Sequence, residues 1–172
     1  MTTEQRTFAV LVDNEPGVLA RVVGLFAGRG YNISSLTVTE VDSDRKLSRI
    51  TLETRGTPQV LEHIKNLLDR LVPVHNVGDL TNSGPSVRRE LALVKVTGVD
   101  QDRVEALRIA DIFKAQAVDA GMGHFVFQIQ GEPEEIDRFV DLMSQLGMVD
   151  LSRTGVAAIS RGPEGLEAQT AL

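Results

Sequence analysis

One stretch, DNEPGVLARVVGLFAGRGYNISSL from Asp13 to Leu36, limits what this chain can fold into more than any other. It follows a nearly unbroken apolar run, Thr7 to Val12, of the kind shown by a strand buried on both faces. Through Asn14, Glu15, Pro16 and Gly17 the chain turns, and Val18, Leu19, Val22, Val23 and Phe26 then recur at helical spacing as one apolar stripe. Gly28 and Gly30 stop that helix, and Tyr31-Asn32-Ile33 leads back into a strand. Asn14 or Glu15 can cap the helix, and Pro16 fits its first turn, where the amides have no intrahelical partner anyway. Gly17 leaves the backbone bare there, so a small anion can approach the free amides, and the helix dipole favours it. A plain well-capped helix after a strand accounts for the same residues, and the letters alone do not separate the two.

The elements that follow complete a pattern. Ile33 to Val41 reads as a Ser/Thr/Val-rich strand with Leu36 and Val38 inward, and Asp42 to Lys46 as a charged hairpin loop. Leu47 to Thr54 alternates, with Ile50 and Leu52 inward and Arg49, Thr51 and Glu53 outward. Thr57-Pro58 supplies a cap and first position for a second helix carrying Val60, Leu61, Ile64, Leu67, Leu68 and Leu71. Val72 to Leu80 closes the unit as a strand, with Pro73 pointing to an edge. The sum is β-α-β-β-α-β, the ferredoxin-like arrangement.

Thr81 to Ser86 has linker composition, and the order of elements then repeats. Glu90 to Thr97 is a strand, and Asp102 with Glu105 offers a capping box for a helix ending near Phe113. Gln116 to Asp119 is a short strand and Gly121-Met122-Gly123 a turn. His124 to Gln130 alternates, with Phe125, Phe127 and Ile129 on one face. Pro133 opens a helix striped by Ile136, Phe139, Val140, Met143 and Leu146 and ended by Gly147. Val149 and Gly155 to Ile159 supply the last strand. The fold class is therefore α+β, two ferredoxin-like βαββαβ domains, and the halves match in architecture rather than letter by letter.

Composition excludes several roles. A formal charge of −6 and a pI near 5.1 provide no net positive field to recruit nucleic acid. The absence of cysteine removes disulfides, thiolate catalysis and Cys-ligated zinc. No apolar run approaches membrane-spanning length and residues 1–6 lack a signal-type apolar core, so a cytoplasmic protein is expected. His63, His75 and His124 share no metal-ligand spacing and read as surface residues, so no metal is expected. Glu134-Glu135 reads as a helix-start charge pair. Gly28-Arg29-Gly30 and Gly121-Met122-Gly123 lack the third glycine and the context of a dinucleotide site. No GxSxG elbow or phosphate loop is present, so no catalytic residues are expected in this chain.

The string NEPGVLARVVGLFAGRGYNISSLTV, with LSRITLET, RELALVKV and SRTGVAAISRG after it, covers most of residues 7–162. It resembles the small, regulatory subunits of acetolactate synthase (acetohydroxyacid synthase), whose first half is an ACT domain, an amino-acid-sensing βαββαβ module. The resemblance implies an amino-acid-binding ACT domain over 1–80, a linker over 81–88, a C-terminal ferredoxin-like domain over 89–162 and a flexible tail over 163–172. It implies an effector, usually valine or another branched-chain amino acid, held at an interface between two ACT domains of a homodimer. The effector-binding residues carried over are Asn14, Glu15, Pro16, Gly17, Val18 and Leu19 of one chain, facing Asn32 and Ile33 of the other. It implies a large catalytic partner subunit that is activated and made feedback-inhibitable. Thiamine diphosphate, Mg and FAD belong to that large subunit, and none is expected on this chain. A free-standing two-ACT amino-acid sensor acting on another enzyme or a transcription factor, and a small α+β enzyme, are the competing readings of the same letters.

Overall fold

A computed structural model of the chain describes residues 2–166. The elements run β1 (Glu4–Asp13), α1 (Val18–Ala27), β2 (Ile33–Asp42), β3 (Leu47–Gly56), α2 (Pro58–Asp69) and β4 (Val74–Asp79). There follow β5 (Ser86–Val96), α3 (Asp100–Ile112), β6 (Gln116–Gly121), β7 (His124–Gly131), α4 (Pro133–Ser144), β8 (Met148–Arg153) and β9 (Ala157–Ser160). The chain divides into two compact units, one holding residues up to Val87 together with the segment from Val156 onward, the other Arg88–Gly155.

The first unit is an antiparallel sheet in the order β2-β3-β1-β4, the ferredoxin-like topology the sequence implies. Phe8, Val10 and Val12 of β1 alternate with Ala9 and Leu11, and all five are buried, because both faces of this central strand are covered. One face meets the helices: Val18, Val22, Leu25 and Phe26 of α1 and Leu61, Ile64 and Leu68 of α2 close over Ile50, Leu52 and Val77. Thr57 caps α2 by accepting from the Val60 amide, with Pro58 at the first position, as the sequence predicts. In α1 the stripe is rotated from the expected one. Leu25 is buried, whereas Leu19 and Val23 are 40% and 36% exposed. Val38 likewise lies half exposed on edge strand β2.

The opposite face is also covered, which the sequence does not announce. Thr51 and Glu53, expected to point outward, are buried. Glu53 accepts from Gln5 Nε2 and Thr7 Oγ1, both at 2.9 Å. Over this face Val156 and Ala158 pack against Ala9 and Leu80, with Leu166 alongside. The strand expected over Gly155 to Ile159 forms as β9, which pairs with β5, and the chain from Val156 onward is grouped with the first unit. Its alternation of buried Val156 and Ala158 with exposed Ala157 and Ile159 fits a sheet surface that offers small apolar residues. Of the tail expected over 163–172, Leu166 is fixed by the Asn76 amide at 2.5 Å, and residues 167–172 lie outside the described residues. The expected linker is also shorter than 81–88, because β5 begins at Ser86.

The second unit repeats the order, with α3, α4 and strands in the order β6-β7-β5-β8, and β9 also pairs with β5. Its core joins Ala92, Val94, Val96, Phe125, Phe127 and Ile129 to Ala106, Ile109, Ala110, Ile136, Phe139 and Met143. The capping box expected at Asp102 and Glu105 is not formed. Val99 occupies the N-cap and Asp102 lies inside the helix, where its charge still suits the positive end of the dipole.

Candidate functional site

The sequence points to the turn between β1 and α1, and the structure fixes that turn from both sides. The Asp13 amide donates to Pro73 O at 2.9 Å and the Asn14 amide to Lys46 O at 2.7 Å. His75 Nε2 meets Asp13 Oδ1 at 2.6 Å, and Asn14 Nδ2 donates to Glu40 Oε2 at 2.5 Å. Asn14 and Glu15 were expected to cap α1, and neither side chain does. Gly17 is the N-cap, with φ 87°, and no side chain or acidic first-turn residue closes the helix start. The reason is geometric: the left-handed bend at Gly17 swings the preceding residues off the helix axis, and Pro16 lies before the N-cap rather than inside the first turn.

The bare backbone anticipated at Gly17 is present. Val18 N donates to Glu15 O at 3.3 Å and Arg21 N to Gly17 O at 3.0 Å. Among the described residues the amides of Gly17, Leu19 and Ala20 meet no protein acceptor. A Cβ built on Gly17 would meet nothing within 4 Å, so the approach to these amides is open. Asn14, Glu15, Pro16 and Gly17 are exposed, Val18 is buried beneath them, and Leu19 presents an apolar side chain at the rim. Amide donors, an Asn with both a donor and an acceptor, and the Glu40 carboxylate can together receive a zwitterion: a carboxylate at the helix start and an ammonium at the oxygens.

Asn32 and Ile33 are not part of this cluster within one chain. Asp13 pairs with Leu47 at one end of β3, whereas Ile33 pairs with Thr54 near the other. At roughly 3.3 Å per residue the two ends are separated by roughly 23 Å. Asn32 is exposed, with its carbonyl accepting from Thr54 Oγ1 at 2.6 Å, and Ile33 is half-buried against the core. Sequence reasoning missed Glu40 and His75. Only the register of β2 on β3, which sets Glu40 opposite Ser48, could have placed Glu40 beside Asn14.

An ACT-domain family described as "AHAS small subunit-like ACT domain" matches residues 8–76, and one described as "Small subunit of acetolactate synthase" matches residues 89–162. A probable acetolactate synthase small subunit of Archaeoglobus fulgidus is 42% identical, with 92% of this chain and 98% of that protein aligned. The chain belongs to the acetolactate synthase small-subunit family. The small subunit of Haemophilus influenzae is 39% identical over 94% of this chain and 99% of its own. The crystal structure of the acetolactate synthase small subunit from Thermotoga maritima superimposes with a TM-score of 0.81 at 32% identity, covering 94% of this chain and 99% of that one. As an acetolactate synthase small subunit, the chain carries the family's regulatory ACT domain, and the β1–α1 turn lies inside the matched ACT segment.

Proposed function

We propose that this small subunit binds the large catalytic subunit of acetolactate synthase, raises its activity and confers feedback inhibition by valine or another branched-chain amino acid. The chemistry resides in the large subunit with its thiamine diphosphate, magnesium and FAD, in the cytoplasm, and this chain contributes no catalytic group. The effector lies between two copies of the first unit. The Asn14–Leu19 turn of one copy holds the carboxylate and ammonium, and Asn32 and Ile33 of the other complete the pocket.

The observation that carries this reading is the placement of the two halves at opposite ends of edge strand β2. Glu40, bonded to Asn14, stands near one end of β2, and Ile33 begins the other. Among the described residues β2 has a neighbour strand on one side only, and Val38 and Val41 on it are 45% and 50% exposed. Antiparallel pairing of two β2 edges about a twofold axis sets the Glu40 end of one strand beside the Ile33 end of the other. Leu19 and Val23 of α1 are exposed as well. Charge-assisted hydrogen bonds of about 1.5–3 kcal/mol each, plus burial of a valine-sized side chain, suffice for a sub-millimolar effector after the cost of immobilisation. One methylene separates apolar ligands by only about 1–3 kcal/mol, so the pocket accepts more than one branched-chain amino acid.

The test is to mix the chain with a large subunit and measure acetolactate formation with and without valine. Stimulation that valine reverses is expected, and Asn14→Asp should abolish the reversal while keeping the stimulation, because it sets a carboxylate against the effector's own. Neither stimulation nor a valine effect would overturn the proposal, and valine binding without affinity for the large subunit would mark a free-standing sensor instead.

A further inference from the structure

The face of the first sheet turned away from α1 and α2 carries a cleft that the effector reading does not use. Leu11 of β1 stands opposite Arg49 of β3 on that face, and neither joins the core beneath the helices. After β9, which pairs with β5, the chain comes back over the same face, and Leu166 packs against the cluster of Ala9 and Leu80. Between this return and the β2–β3 hairpin lies a cleft of about 260 Å³, walled by Leu11, Val41, Leu47 and Leu166 and containing Arg49 and Gly165. A second cleft, of about 240 Å³, shares Arg49, Gly165 and Leu166 with it. Every residue lining the two belongs to the first unit.

Arg49 decides what the cleft can take. Its guanidinium is half-buried and donates through Nη2 to Ala158 O at 2.6 Å, and among the described residues no carboxylate pairs with it. Burial without a countercharge pulls its pKa below the ordinary arginine value. A cation drawn out of water in this way is best matched by an anion, and its remaining donors form the planar fork that suits the two oxygens of a carboxylate. Asp42 also borders the cleft, but its Oδ1 is committed to the hairpin turn, where it accepts from the Arg45 amide at 2.9 Å. The four apolar walls favour an anion that brings a hydrocarbon part, and the space falls below the roughly 300 Å³ at which pockets for drug-sized ligands begin. We infer that this cleft binds a short aliphatic monocarboxylate, its oxygens on Arg49 and its chain against Leu11, Val41, Leu47 and Leu166. The site is independent of the effector reading, since it uses none of the amides at the start of α1.

The probe is 3-methylbutanoate, titrated into the full chain at fixed pH and ionic strength while NMR follows the backbone amides and the arginine side-chain N–H groups. Saturable shifts are expected at Arg49 Nε–H and at the Gly165 amide, with a Kd on the order of 1 mM. Inorganic phosphate at the same concentrations should leave both signals in place. Arg49→Gln should weaken binding at least about tenfold, and Arg49→Lys, which keeps the charge without the fork, by less. Because Arg49 also holds Ala158, a second variant leaves that bond alone: a Cβ built on Gly165 meets nothing within 4 Å, so Gly165→Phe can put its ring into the cleft and should abolish binding. Wild-type affinity in Gly165→Phe or in Arg49→Gln, equal shifts with phosphate, or no saturable shift at all would overturn the inference. Shifts confined to the amides of Gly17 to Ala20 would do the same, by placing the acid at the start of α1.

Discussion

Gly17 concentrates the residue-scale argument, because its φ of 87° and its open surroundings separate backbone strain from steric blocking. Placing alanine there adds a Cβ that meets nothing within 4 Å, so the cost is the left-handed conformation alone, about 1–2 kcal/mol. Gly17→Ala should lower stability by that amount in urea unfolding and change valine affinity little. Gly17→Leu should cost similar stability and yet abolish binding in calorimetry, since its side chain would stand over the bare amides. A second residue-scale prediction concerns Glu90, which is buried and held by Arg153 through bonds of 2.9 and 2.6 Å. That hydrogen bonding, with Asp137 adding to it, drives the Arg153 pKa above the ordinary arginine value. Arg153→Ala strands the Glu90 carboxylate and should destabilise the second unit by about 3 kcal/mol, read as an earlier urea midpoint. At this scale the bare helix start at Gly17 was legible because its chemistry is local. Glu40, which differs from Asn14 by twenty-six positions, was not, since its role depends on strand register.

Among the elements, those whose burial follows their own periodicity were readable and those buried by a distant segment were not. The stripes of α2 and α4 were found because each helix packs one face on its own sheet. In α1 the letters Leu19 and Val23 extend the stripe beyond what the core covers, so hydrophobicity alone pointed two residues the wrong way. Thr51 and Glu53 look solvent-facing by alternation, yet both are buried: Gln5 and Thr7 hold Glu53, and over the same sheet face Val156 and Ala158 pack on Ala9 and Leu80. The strand expected within Gly155 to Ile159 was legible from its alternation, and it forms as β9 on β5. If the returning segment is structural, Val156→Ala should cost the first unit about 2 kcal/mol, and thermal unfolding should show the loss there rather than in the second unit.

For the molecule as a whole, the chain divides into two units, one holding residues up to Val87 with the segment from Val156 onward, the other Arg88–Gly155. The repeat of architecture was legible, because element order survives divergence of the letters. Asn14 and Asn32 lie at opposite ends of the sheet, so the proposed effector site demands two copies, each supplying one half. Complementation measures this. Asn14→Asp and Asn32→Asp chains are purified with different tags, shown singly to bind no valine, and combined into a hybrid dimer for calorimetry. In the hybrid one of the two sites at the interface carries both changes and the other carries neither, so the account predicts one valine bound per dimer with wild-type affinity. A hybrid that binds no valine would mean that both halves act within one chain, and would contradict it.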